Sequence, residues 1–398
     1  MAGIRNAIES VPGSEAGASL RDLAVLFLRL GATSFGGPAS HIAMMEHEMV
    51  HRKGWLSREE FLDLLGATNL IPGPNSTEMA IHIGWKRARW PGLVVAGVSF
   101  ILPAALLVLA IAAAYMRYGS RPEAARLLYG IKPVIIAIVV QALWRLGRQA
   151  LKSAELALIA VLGVALSARG VNELVVLFGA GLLLAPWRWA WSGRAGKHSP
   201  TPLSPLPVGA LASTLTGWSP VAATPFGFLP LFLFFLKVGS VLFGSGYVLL
   251  AFLKADLVDR WGWLSDSQLL DAITVGQVTP GPVFTTATFI GYILGGVSGA
   301  VLATVGIFLP AFVFVAVSGP LVPRLRRSPT AGAFLDGVNA ASLSLMAVVT
   351  WQLAHSALVD RLTLALAVLA AIALFHFRLN SLWLILAGGL AGCFRMLM

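Results

Sequence analysis

Apolar residues in this chain run in long stretches and do not alternate with polar ones. Gly92–Tyr115 and Leu362–Phe375 are two such runs, and Leu156–Leu166 with its flanks is a third. Apolar runs of roughly 17–25 residues match helices that cross a hydrocarbon core of about 30 Å. A transmembrane barrel would show alternation instead, and in lipid only helices and closed barrels satisfy their own backbone groups. The pattern predicts an all-α polytopic membrane protein.

Glycine and proline interrupt these runs, and the interruptions come twice. Trp55-Leu56-Ser57 returns as Trp263-Leu264-Ser265, and Pro72-Gly73-Pro74 as Pro280-Gly281-Pro282, each 208 residues later. Phe35-Gly36 returns as Phe243-Gly244 at the same spacing. After a one-residue slip, Ile83-Gly84 matches Ile290-Gly291, and Phe100-Ile101-Leu102-Pro103 matches Ile307-Phe308-Leu309-Pro310. Two matched apolar halves broken at the same register are a common plan of membrane transporters. The expected division is a membrane repeat over 1–191, a Pro/Ser/Thr/Gly-rich linker over 192–225, and a second repeat over 226–398. Each half is expected to open with a helix (about 22–45 and 227–253) interrupted at Gly36-Gly37-Pro38 or Gly244-Ser245-Gly246. Two short stretches then meet at the Pro-Gly-Pro, and four clearer spans complete the half.

Composition agrees with this class. Apolar residues make up 57% of the chain and charged ones 12%, too few to cover a soluble surface of this size. The first twenty residues carry no apolar signal core, and Cys393 is the only cysteine, so no intrachain disulfide or thiolate cluster forms. The net charge of +11 is read as basic cytoplasmic loops, with no nucleic-acid partner. Those loops also set orientation. Lys86, Arg87 and Arg89, then Arg145, Arg148 and Lys152, then Arg188 to Lys197 mark one side in the first half. In the second half the matching first two loops are nearly neutral or balanced, and Arg324, Arg326 and Arg327 fall in the alternate loop. Placing basic loops inside gives two homologous inverted-topology repeats with broken and re-entrant helices. They contain about ten spans plus two re-entrant hairpins. Arg117, Arg121 and Arg126 then lie on the outer side, against the rule.

Irregular backbone at membrane depth is tolerated only beside protein or a watery cavity. The breaks at Gly36, Gly37, Gly244 and Gly246 and the turns Pro72-Gly73-Pro74-Asn75 and Pro280-Gly281-Pro282 start new half-helices. Their unpaired N–H groups suit an anion; packing kinks are the alternative. Arg29 and Lys237, 208 residues apart in apolar helices, are candidate cations for an oxyanion or residues that snorkel to the interface. Lys132 is a third cation, matched by Asn339. Glu48 with Arg52, and Asp256 with Arg260, form i,i+4 pairs that serve as structural clamps or as a gate. Glu78 and His82, one turn apart, fit a proton relay or an interfacial pair. Asn69, Ser76, Thr77, Gln277, Thr279, Thr285 and Thr286 flank the turns and either bind oxygens or cap helices.

No HExxH, Walker loop or GxSxG elbow occurs, so no cofactor is expected, and an ion gradient, with H+ as the coupling ion, is the expected drive. The motif set Ser34-Phe35-Gly36-Gly37-Pro38, Trp55-Leu56-Ser57, Pro72-Gly73-Pro74-Asn75, Phe243-Gly244-Ser245-Gly246, Trp263-Leu264 and Gln277-Val278-Thr279-Pro280-Gly281-Pro282 resembles the chromate ion transporter family in its long, two-domain form. The resemblance implies a multi-pass bacterial inner-membrane protein that exports chromate and confers chromate resistance. Sulfate, also a tetrahedral dianion, is an alternative cargo. A membrane enzyme acting on a phosphorylated lipid, using Glu48, Glu78, His82 or Asp256, is a competing reading, as is a channel or scaffold. Expected partners are the oxyanion, H+ and the bilayer, with a homodimer left open.

Overall fold

A computed structural model describes residues 19–192 and 224–394, apart from 36, 120, 244, 245 and 319–327. Among the described residues the regular structure is helical throughout. Gly36 and Gly244 lie outside the described residues, whereas Gly37 and Gly246 are within them.

Each half opens with a helix that stops where glycine was expected to break it. α1 (Leu20–Thr33) is followed by α2 (Pro38–Glu46), which starts from Gly37 at φ 78° with proline in the first turn. In the second half α8 (Phe228–Val241) is followed by a 3-10 turn, Gly246–Val248, and the short α9 (Leu249–Phe252). Both segments run on into π-helical turns, His47–Arg52 and Leu253–Arg260. Such wide turns are rare and concentrate at functional sites. The Trp-Leu-Ser motif then has a local cause. Ser57 and Ser265 are N-caps of α3 (Arg58–Thr68) and α10 (Asp266–Val278), each in a reciprocal capping box with Glu60 or Gln268.

After each Pro-Gly-Pro the chain reverses. α4 (Asn75–Tyr118) carries non-helical backbone at Ala88 and Arg89, and α11 (Thr286–Ser318) at Gly295 and Gly296, 207 residues on. The first arm of α4 folds back against the second, and at Gly84 a Cβ would clash with the Gly92 carbonyl; Gly291 and Gly299 repeat that contact. Lys86, near the end of the arm, pairs with Glu60 at the start of α3 at 2.6 Å. The two stretches around each Pro-Gly-Pro therefore form a hairpin with the turn at its buried tip.

The remaining helices are α5 (Pro122–Ala150), α6 (Ala154–Ala168), α7 (Glu173–Ser192), α12 (Pro329–Ala357), α13 (Arg361–Phe375) and α14 (Ser381–Phe394). They interlock across the halves: α5 packs against α13 and α14, while α12 packs against α6 and α7. Among the described residues four helices, counting Val283–Ser318 as one, are long and apolar enough to cross a membrane. At about 1.5 Å per residue, the 14- and 15-residue helices reach only about 21–22 Å, short of a ~30 Å core unless their ends extend it. On α11, Val297, Val301, Val305, Leu309, Val313 and Val317 form one exposed apolar stripe. Its length is about 30 Å at that rise, a match to hydrocarbon thickness.

Candidate functional site

The tips of the hairpins meet the broken helices of the opposite halves. Gly73 N–H donates to the Leu242 carbonyl at 2.8 Å, and Gly281 N–H donates to the Ser34 carbonyl at 2.9 Å. Ser34 and Leu242 are the C-caps of α1 and α8. Each tip thus satisfies a carbonyl that its partner helix leaves unpaired. Positive φ at Gly73 (141°) and Gly281 (86°) explains why the middle residue is glycine. His41 Nε2 lies 3.1 Å from the same Ser34 carbonyl and is buried. His41 belongs to no motif of the sequence, and Leu249 stands at its matched position in the second half.

Each of the three candidate cations is paired to a carboxylate. Arg29 bonds Glu48, which also receives Arg52 at 2.9 Å; Lys237 bonds Asp256, which also receives Arg260. The two sets occupy matched positions, each a buried carboxylate between two cations. Asp256 is fully buried, while Arg29 is half exposed. Separate in the sequence, Arg29 on α1 and Lys237 on α8 close in the fold onto the acid–arginine pairs of the π-helical turns, and Arg260 also lies 3.9 Å from Glu173. Lys132 also takes a partner. It pairs with Asp271 at 3.1 Å and donates to Ser267 at 2.6 Å, while Tyr115 donates to the other Asp271 oxygen at 2.8 Å. This network joins α4 and α5 of the first half to α10 of the second.

Glu78 is fully buried with neither carboxylate oxygen hydrogen-bonded, and a Cβ on Gly73 would clash with it. It stands directly under the first tip. His82 follows one turn later, 5% exposed, with Nε2 unpartnered. The two are not bonded to each other. Asn75 bonds Asn69 at 2.8 Å beside this tip. Thr285 and Thr286 close their hydroxyls onto Pro282 and Val283 carbonyls, both 2.8 Å, so they act as helix-start caps. Pro72, Pro74, Pro280 and Pro282 frame the two tips. Among the described residues no group of three His, Cys, Asp or Glu side chains is placed to hold a metal.

A cavity of about 80 Å³ of water-accessible space lies where the first break meets the second tip. A single water needs roughly 10–15 Å³ on that measure. Gly37, Gln141, Arg145, Thr279, Gly281 and Ser381 are among the residues that line it, and no carboxylate does. Gln141 donates to the Leu374 carbonyl at 3.1 Å and Thr279 to that of Val275 at 2.9 Å.

The same two-part sequence pattern recurs in a described family. The chromate transporter family matches residues 21–185 and again 229–393. The chain belongs to the chromate transporter family. Chromate transport protein of Pseudomonas aeruginosa is 35% identical over 384 residues, covering 92% of this chain and 90% of that protein. Chromate transport protein of Cupriavidus metallidurans is 32% identical over 376 residues, covering 93% and 91%. The probable chromate transport protein of Synechococcus elongatus is 29% identical over 361 residues, covering 89% of each. No solved structure matches this chain. Membership identifies an integral membrane transporter and sets aside the enzyme reading.

Proposed function

We propose that this protein is a secondary active transporter that exports chromate across the bacterial inner membrane by alternating access and so confers chromate resistance. The observation that carries the reading is the reciprocal contact of the two tips with the opposite broken helices. It sets the irregular backbone of each half against that of the other, where half-helix starts favour an anion. The names of the relatives supply the cargo, chromate, with sulfate as the competing tetrahedral dianion. In this reading the halves are inverted repeats with about ten crossings, and one bundle rocks against the other around the tips.

The cradle would be built from Gly37, Gly246, the two Pro-Gly-Pro tips and Asn75, with Gly36 and Gly244 assigned to it from the sequence alone because they lie outside the described residues. Arg29, Lys237 and Lys132 lend positive potential from its flanks while held by Glu48, Asp256 and Asp271. Arg52 and Arg260 complete triads that must re-form when the π-helical turns move, which makes them the gate. Glu78 and His82 form the coupling site. An ionised carboxylate without a partner is costly in such surroundings, so taking up and releasing a proton there would switch the first tip between two arrangements.

Expression in a chromate-sensitive bacterium tests this. Wild-type protein should raise chromate tolerance, and Glu78→Gln at equal abundance should remove most of that gain. Unchanged sensitivity with abundant wild-type protein would refute chromate export, and full tolerance in Glu78→Gln would refute the coupling role.

A further inference from the structure

We infer that the cavity between Gly37, the second Pro-Gly-Pro tip and α5 is a docking site for a tetrahedral dianion, with Arg145 as its recruiting cation. This rests on the oxyanion-carrier reading and names a residue that reading did not use. Three helix starts line the cavity: Gly37 before α2, Val283 before α11, and Ser381 at the start of α14. Each contributes the positive end of a helix dipole. Among the described residues Arg145 makes no ion pair, and the lining has no acid to neutralise it. Among the described residues the full charge that lines the cavity is therefore positive, on a planar fork of donors suited to an oxyanion.

The chain contains its own control for a packing role. Ile138, Gln141, Ala142 and Arg145 present one face of α5 to the cavity. The matching positions of α12 are Leu345, Val348, Val349 and Gln352, with Leu345 and Val349 buried. The matching tip residue to Thr279 is Ile71. The two buried positions of this face are apolar in both halves, whereas the positions of Gln141 and Arg145 hold the half-buried Val348 and the exposed Gln352, so packing of this face does not call for a cation. Two symmetric positions have diverged, and the first-break side has become the charged one.

The test uses purified full-length protein in proteoliposomes, with initial chromate uptake measured against concentration and with sulfate as competitor. Arg145→Gln installs the residue found at the matched position. It should raise KM for chromate about tenfold, the scale of one lost charge-assisted contact, with kcat changed less than twofold. Sulfate inhibition should weaken in parallel. Arg145→Lys should fall between, and Arg148→Gln, one turn along and outside the cavity lining, should match wild type. An unchanged KM in Arg145→Gln, or an equal shift in Arg148→Gln, overturns the site while leaving the carrier reading intact. Wild-type protein that neither carries nor binds chromate or sulfate overturns both.

Discussion

Asp256 and Glu48 perform one job in two environments, and the difference between them is measurable. Asp256 is fully buried between Lys237 and Arg260, while the Glu48 side chain keeps 8% exposure between Arg29 and Arg52. Removing one cation leaves a carboxylate with half its compensation, and the penalty grows with burial. Lys237→Ala is expected to lower unfolding stability by about 1–3 kcal/mol, and Arg29→Ala by less; thermal unfolding in detergent compares them directly. The i,i+4 acid–arginine pairs were legible in the sequence. Their third members were not, because Arg29 and Lys237 lie 19 residues away and reach the acids only after the chain turns at the glycine break. Arg145 was legible only as a loop charge; its place beside Gly281 needs contact between the halves.

At the scale of the element, the first hairpin depends on two devices near its mouth. The first is the Glu60–Lys86 clip. The Lys86 hydrogen bond, helped by the Ser57 N–H, holds the Glu60 carboxyl below its usual range. Its stabilisation is therefore present above the unfolded carboxylate value of about 4.3 and is lost as pH falls through the lower folded value. Wild type should unfold at higher temperature than Glu60→Gln at pH 7, and that margin should vanish on acidification below that range. The second device is the reversal itself. Arg89 takes φ 49° where the second half uses Gly296 at φ 60°, a conformation that strains side-chain-bearing residues by about 1–3 kcal/mol. Arg89→Gly should raise the unfolding midpoint, and a fall would contradict this account of the bend. The sequence showed the paired motifs but not this bend, since Ala88-Arg89 carries no turn signal of its own. One ion pair even repeats with its charges exchanged: Glu46 with Arg58 in the first half, at 3.8 Å, matches Lys254 with Asp266 in the second, at 3.2 Å. A search for like residues misses such a pair.

For the whole molecule, the Lys132–Asp271 contact marks where the halves are locked together, since it joins α5 to α10. In the proposed rocking motion this contact must break or slide. Lys132→Asp should impair function by facing Asp271 with a like charge. The exchanged double variant, Lys132→Asp with Asp271→Lys, should recover part of it; a double variant no better than the single would mean that Lys132 acts otherwise than through Asp271. The repeat plan and helical class were legible because lipid imposes long apolar runs and the motifs recur at one spacing. The crossing of each tip into the other half was not, because backbone hydrogen bonds at Gly73 and Gly281 leave no mark on residue type beyond the glycine itself.

The central claim is uphill movement of chromate out of the cell. Its most direct test is accumulation of radiolabelled chromate by inverted membrane vesicles containing this protein, with and without an imposed proton gradient. The account predicts accumulation above the external concentration only when the gradient is present, inhibited by excess sulfate. Equilibration to the external level regardless of the gradient would contradict it.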